Sequence, residues 1–209
     1  MDRISYYKRQ EMFDRFMQYT RPDSNSKVVD IGVTPNVSLP SSNYFEKLYP
    51  YLNNLTVASV ENASNLENIF KGVTFVQMIP GRPFPFMDKE FDILFCSAVI
   101  EHVGDSDNQR FFLEECCRIS KKVFLTTPNK GYPIEFHTFL PFVHWLPKAL
   151  HQKIINTLGM KFFSKAVNLN LLTKKELLNL LPKDCKHIII QQIKLFFITS
   201  NLILIIIQE

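Results

Sequence analysis

The chain has 209 residues, 46% of them apolar and 21% charged, and a net charge of +4. This length suits a single domain over residues 1–209 with a substantial core, and the composition excludes wholesale disorder. So mild a positive charge argues against a nucleic-acid partner and fits anionic small molecules or lipid headgroups better.

Taken in chain order, residues 1–22 are expected to hold a helix. Tyr7, Met12, Phe13, Phe16 and Tyr19 space as one helical face, and Arg21-Pro22-Asp23 ends it. The stretch has no apolar core of a signal peptide. Lys27 to Ile31 reads as the first strand, and residues 32–42 as a loop rich in Pro, Asn and Ser. Ser42 or Asn43 is placed to cap a helix that runs to about Leu48. Strands follow at 55–60 and 73–78, separated by a short helix that Gly72 closes. A fourth strand covers 91–96, a helix 107–120 and a fifth strand 123–127. This alternation is the pattern of a parallel, helix-covered sheet. Thr173-Lys174-Lys175-Glu176 is a capping box opening a further helix. His187 to Lys194 and Leu202 to Gln208 are β-rich runs around a short polar turn at Thr199-Ser200-Asn201. They predict a terminal antiparallel hairpin, for seven strands in all. The run from Leu195 to Ile207 is the longest apolar stretch and is too short for a membrane span. The cysteines Cys96, Cys116, Cys117 and Cys185 form neither a Cys-x-x-Cys pair nor a disulfide framework. Reduced, packed thiols in a cytoplasmic protein are expected, and no metal site.

The ends of the strands carry the polar residues. In open α/β sheets ligands bind beyond the carboxyl ends of the strands. The first strand ends in Asp30-Ile31-Gly32. The second ends in Glu61, which stands 31 residues after Asp30. A carboxylate there can accept both hydroxyls of a ribose. After the third strand comes Pro80-Gly81-Arg82-Pro83, a loop able to cover a flat base. The fourth strand ends in Cys96-Ser97-Ala98-Val99, where small side chains let a ligand lie against the backbone. The plain alternatives are that Asp30 caps a turn and Glu61 is a solvated charge.

Three stretches together resemble class I S-adenosylmethionine-dependent methyltransferases. They are Val28-Val29-Asp30-Ile31-Gly32, Glu61, and the run from Phe84-Pro85-Phe86-Met87-Asp88 through Phe91-Asp92-Ile93-Leu94 to Val99-Ile100-Glu101-His102-Val103. Thr126-Thr127-Pro128-Asn129 and Val143-His144-Trp145-Leu146-Pro147 resemble a narrower subgroup found in bacterial surface-glycan biosynthesis. The similarity spans about residues 26–181. It implies a Rossmann-like α/β fold, a mostly parallel seven-stranded sheet with a terminal antiparallel hairpin. It also implies S-adenosyl-L-methionine as cofactor and a methyl transfer to a small molecule or glycan, expected to be O-methylation of a sugar. By this resemblance Asp30, Gly32 and Thr34 line the methionine moiety and Glu61 meets the ribose. Asn62, Gly81 and Arg82 flank the adenine, and Ser97, Ala98 and Val99 lie near the sulfonium. Thr34 and Asn36 stand where the family usually has glycine, and Pro80 stands where an acid is common.

A hydroxyl acceptor needs a base. His137 is the first candidate, in an aromatic loop past the fifth strand; His102 and Glu135 are the others, and His144 reads rather as a packed histidine. Residues 130–165 are expected to form an aromatic-rich lid or acceptor wall. The mix of aromatics and lysines over 136–163 also fits a peripheral membrane contact or a dimer interface. The expected location is cytoplasmic, with the inner membrane face as an alternative. The other reading of the whole chain is a cofactor-binding or interaction protein on the same fold, with catalysis lost.

Overall fold

The computed structural model describes residues 2–135, 138–160, 169–185 and 187–208. Helix α1 (Asp2–Thr20) precedes a seven-stranded sheet. The strands are β1 (Val28–Ile31), β2 (Leu55–Ser59), β3 (Thr74–Gln77), β4 (Phe91–Ser97), β5 (Ser120–Pro128), β6 (His187–Leu195) and β7 (Ile198–Ile207). Their spatial order is β3-β2-β1-β4-β5-β7-β6. The first five run parallel, and β7 inserts antiparallel between β5 and β6. The order reverses at β1, so the cleft between β1 and β4 is the switch point where such sheets bind ligands.

The crossovers are α2 (Tyr44–Leu48), α3 (Leu66–Ile69) and α4 (Ser106–Ile119). Helix α5 (Lys148–Thr157) lies in the aromatic stretch, and α6 (Lys174–Asn179) precedes β6. The predicted capping box opens α6: Glu176 N–H donates to Thr173 Oγ1 at 3.2 Å and Thr173 N–H to Glu176 Oε2 at 2.7 Å. Asp105 caps α4 by accepting from Asn108 N–H.

One side of the sheet is covered by rings. Phe16 from α1 meets Phe45, Phe95 and Phe124 edge-on, with centroids 5.0, 5.4 and 5.5 Å away. Phe45 stacks on Phe95 at 4.1 Å. This seam lays α1 along one face of β4 and β5, and residues 5–12 of the helix reach the pocket beyond Ser97 and Thr126. The other side is mostly aliphatic, with Phe91 and Phe112 among its rings, and α4 supplies Leu113, Cys116 and Ile119 to it. Burial pushes the thiols of Cys96, Cys116 and Cys117 up, which makes them packing groups rather than nucleophiles.

Three expectations are corrected in detail. Tyr7 is exposed; the buried face of α1 is built on Met12 and Phe16 instead. Asn43 does not cap α2 through its side chain. Its amide bonds the backbone of Thr34 in both directions, donating to Thr34 O at 2.7 Å and accepting from Thr34 N–H at 3.1 Å. The hairpin turn is not polar. Thr199, Ser200 and Asn201 lie inside β7, where Asn201 pairs with Ile193 and Pro128, and the turn is Phe196-Phe197. Hydropathy alone placed the break at the polar residues; the pairing register decided otherwise.

Candidate functional site

The site begins where β1 stops. Gly32 has φ +103°, a conformation that side chains rarely adopt, and its N–H donates to Ala58 O of β2 at 2.8 Å. A Cβ on Gly32 would stand 2.1 Å from Val99 Cγ2. The glycine therefore allows the loop after β4 to close on the loop after β1. Thr34 and Asn36 do not share this demand, because neither has positive φ. Their polar side chains brace the loop. Thr34 Oγ1 accepts from Asn36 N–H and Asn36 Oδ1 from Ser38 N–H. Asn65 from the β2–α3 turn donates to Pro35 O at 2.9 Å. Hydrogen bonds hold here what glycines leave free elsewhere.

Beside this turn lies a carboxyl pair of which the sequence reading contained one half. Asp30 is buried at the end of β1, and Glu46 is buried on α2. Among the described residues neither oxygen of Glu46 has a donor from outside the pair. Its neighbour is the Asp30 carboxyl, and burial together with that like charge raises the Asp30 pKa well above the usual carboxylate range; burial raises Glu46 too. Two such groups sit together by sharing a proton. Glu46 was legible only as the one acid between Phe45 and Leu48.

A line of hydroxyls continues from the pair into the cleft. Tyr44 O–H donates to Ser97 Oγ at 3.2 Å, and Ser97 Oγ is 2.9 Å from Thr126 Oγ1. Arg9 of α1 lies over the Tyr44 ring, 5.4 Å from its centre, and also donates to Ser41 O. Ala98 holds φ +58° and donates its N–H to Thr126 O, which turns the chain sharply after β4. Next, Ile100–His102 makes one tight helical turn, and Thr127 Oγ1 donates to Glu101 Oε2 to pin that turn to β5.

A pocket of about 740 Å³ opens beyond Ser97, Ala98 and Thr126. Its walls are mostly apolar, with Met12, Tyr132, Phe139 and Phe196 among them, and its charged groups are Lys8 and Arg9 of α1. The roof was not foreseen: α1 reads in sequence only as an amphipathic helix.

The remaining predicted residues divide. Glu61 is exposed just past β2, with its N–H donating to Ser59 Oγ. Asn62 uses its side-chain oxygen locally, accepting from Ser64 N–H. Gly81 and Arg82 are exposed in a turn after β3. Among the candidate bases, Glu135 is buried and accepts from Thr138 N–H at 2.6 Å, so this carboxylate ties its own loop together. His102 is half-buried and does not line the pocket. His144 packs against Trp145 and bonds Lys130 O at 3.0 Å, as a packed histidine should. His137 lies outside the described residues.

Comparison with known proteins agrees with this fold. Residues 46–123 match the family model described as a methyltransferase domain. No curated protein matches the chain in sequence. Among solved structures, a protein of Pyrococcus horikoshii is similar with a TM-score of 0.63 at 14% identity, covering 98% of this chain and 91% of that one. A SAM-dependent methyltransferase of Aquifex aeolicus is similar with a TM-score of 0.52 at 13% identity, over 92% of this chain and 87% of that one. The N-methyltransferase NodS of Bradyrhizobium japonicum, solved with S-adenosyl-L-homocysteine, has a TM-score of 0.56 at 10% identity, over 96% and 86%. The chain has the class I methyltransferase fold, with the cleft at β1 and β4 as its candidate site.

Proposed function

We propose that the chain is an S-adenosylmethionine-dependent methyltransferase. The observation that carries this reading is the buried Asp30–Glu46 pair beside the Gly32 turn. A buried carboxyl pair in which Glu46 has no donor from outside would accommodate a cation, and the cofactor brings an ammonium on its methionine end. The Gly32 backbone and Thr34 would line that end, and Glu61 would take the ribose hydroxyls. Asn62, Gly81 and Arg82 would flank the adenine, and Ser97, Ala98 and Val99 the sulfur. The methyltransferase-domain match runs from Glu46 through these last residues. The cofactor supplies a methyl group already activated by its sulfonium.

The protein's own task is then to hold the acceptor. The pocket meets the cofactor cleft at Ser97 and Ala98, so an acceptor seated there presents its nucleophile to the methyl. Such alignment can lower the barrier by several kcal/mol. The acceptor we favour is a hydroxyl of a sugar or glycan intermediate, on the strength of the sequence resemblance, with His137 as the base. Ser97 and Thr126 would bond that hydroxyl, and residues 130–165 would form the acceptor wall.

A second reading is a cofactor-binding protein without turnover. It is favoured by one observation: among the described residues, no histidine or carboxylate lines the pocket. Calorimetry with S-adenosylmethionine and S-adenosylhomocysteine tests the cofactor site. Absence of heat at millimolar ligand would sink both readings. Binding without methyl transfer to any component of a glycan extract would select the second.

A further inference from the structure

Among the described residues, eight other than glycine have positive φ, and four of these are phenylalanines: Phe139, Phe142, Phe196 and Phe197. Bulky residues seldom adopt this conformation, and holding them there strains the backbone. Burial does not offset the strain. Phe139 and Phe142 are more than half exposed, Phe196 is 73% exposed and Phe197 is 97% exposed. The Phe196-Phe197 pair is the whole of the β6–β7 connection, flanked by the paired residues Leu195 and Ile198. A two-residue connection with both φ values positive normally takes Asn-Gly or a similar pair. Among the described residues, neither ring stacks on another ring, and both are largely exposed.

Two of these rings border one opening. Phe139 and Phe196 line the mouth of the pocket together with Leu39 and Ile134, which are also exposed. Phe142 packs on Trp145 at 5.2 Å. Trp145 is half exposed and is held by one bond from its indole N–H to Lys130 O.

The segments that carry the rings have exposed charge of one sign. Residues 129–160 contain Lys130, Lys148, Lys153 and a single acid, Glu135, which is buried. Residues 187–208 contain one lysine, Lys194, which is exposed, and no acid. Lys130 is spent on Glu176, so Lys153 and Lys194 carry the exposed charge. No exposed carboxylate offsets them in these two segments.

We propose that this rim docks on an anionic lipid surface, with the Phe196-Phe197 tip and the rings of Phe139 and Phe142 entering the headgroup region. Aromatic rings and lysines without acids are the mix favoured at that interface. No helix among the described residues is long and apolar enough to cross a membrane, so the contact is peripheral. A second copy of the chain is a poorer occupant. A stable protein interface needs a continuous patch of about 1,200–2,000 Å², whereas rings on separate loop tips can each enter a fluid surface alone. Docking in this way turns the pocket mouth toward the lipid, so an amphipathic acceptor would reach it from the membrane. That last step rests on the methyltransferase reading; the docking does not.

The test is flotation of the full chain with vesicles of phosphatidylcholine alone and of phosphatidylcholine with phosphatidylglycerol, at low and high salt. The fluorescence of the sole tryptophan, Trp145, is followed in parallel. The chain is expected to float with the anionic vesicles only, with a blue shift of Trp145. The double variant F196N/F197G suits the turn better, so its melting temperature should rise while vesicle affinity falls roughly tenfold or more. F139N/F142N should also weaken binding. Absence of association with anionic vesicles would overturn the proposal, and so would equal affinity in F196N/F197G. A concentration-dependent dimer that the same substitutions dissolve would give the face to a second copy. Cofactor calorimetry on the same preparations keeps the two questions apart: intact cofactor binding without vesicle binding removes the docking alone.

Discussion

The two halves of the cleft are built by opposite means. On the side we propose for the cofactor, at the ends of β1 and β2, the loops are short and polar and are closed by side-chain bonds. Asn43 grips Thr34, Asn65 grips Pro35, and Asn36 turns on Ser38. On the side we propose for the acceptor, after β5 and between β6 and β7, the loops are aromatic and exposed, with strain at Phe139, Phe142, Phe196 and Phe197. One half is satisfied within the chain, apart from its carboxyl pair. The other half leaves apolar surface uncovered. A rigid half suits a ligand of fixed shape, and an uncovered half suits a partner that completes it.

The comparison is most easily broken at Gly32. Gly32→Ala adds a Cβ onto Val99 and forces a side chain to φ +103°. It should cost about 2–3 kcal/mol of stability and abolish measurable cofactor binding. Val99→Ala in the same chain should restore part of the stability, since it removes the clash and leaves the φ penalty. Denaturant melts and calorimetry measure both. A Gly32→Ala protein that melts normally and binds the cofactor would show that the cofactor half is not rigid.

The carboxyl pair sharpens the contrast. The folded pair keeps a proton that the unfolded carboxyls release above about pH 4. Stability therefore falls as pH rises from that value through the raised range, and levels off above it. Glu46→Gln should flatten this slope and stabilise the protein by about 1–3 kcal/mol near neutrality. A bound cation favours the ionised pair, so cofactor affinity should rise over the same pH range, with protons released on binding. Glu46→Gln should weaken that affinity and abolish the proton release. Calorimetry in buffers of different ionisation enthalpy reads it. A pH-independent affinity would remove the pair from the site.

Smaller effects follow. Glu61→Ala should raise the cofactor dissociation constant about tenfold, roughly 1.4 kcal/mol, and leave the melting temperature alone because the side chain is exposed. An unchanged constant would undo the ribose assignment. Tyr44→Phe removes the donor to Ser97 and should cost about 0.5–1.5 kcal/mol in stability or turnover. His137→Ala should lower turnover more than cofactor affinity; retained turnover would place the base elsewhere.

Much of the sheet was readable in the residues because its signals are local. Short apolar runs ending at Asp30 and Ser97 mark buried strands, and Thr173 with Glu176 marks a helix start. The polar loop of Thr34 and Asn36 looked like a departure from glycine. It proved to be a loop in which neither position needs positive φ. Tyr7 and the hairpin turn were misread because helical spacing and hydropathy say which residues are apolar, not which of them finds a neighbour.

The sequence by itself determined the order of the strands along the chain, the carboxylate and glycine at the end of β1, and the small residues after β4. Each follows from backbone preference or from residue chemistry within a few positions. Only the tertiary structure decided that Glu46 faces Asp30, that α1 roofs the pocket, and that two phenylalanines make the turn between β6 and β7. Those facts depend on contacts between residues far apart in the chain. Packing of the Phe16 seam and the register of the last two strands settled them, and neither leaves a local mark.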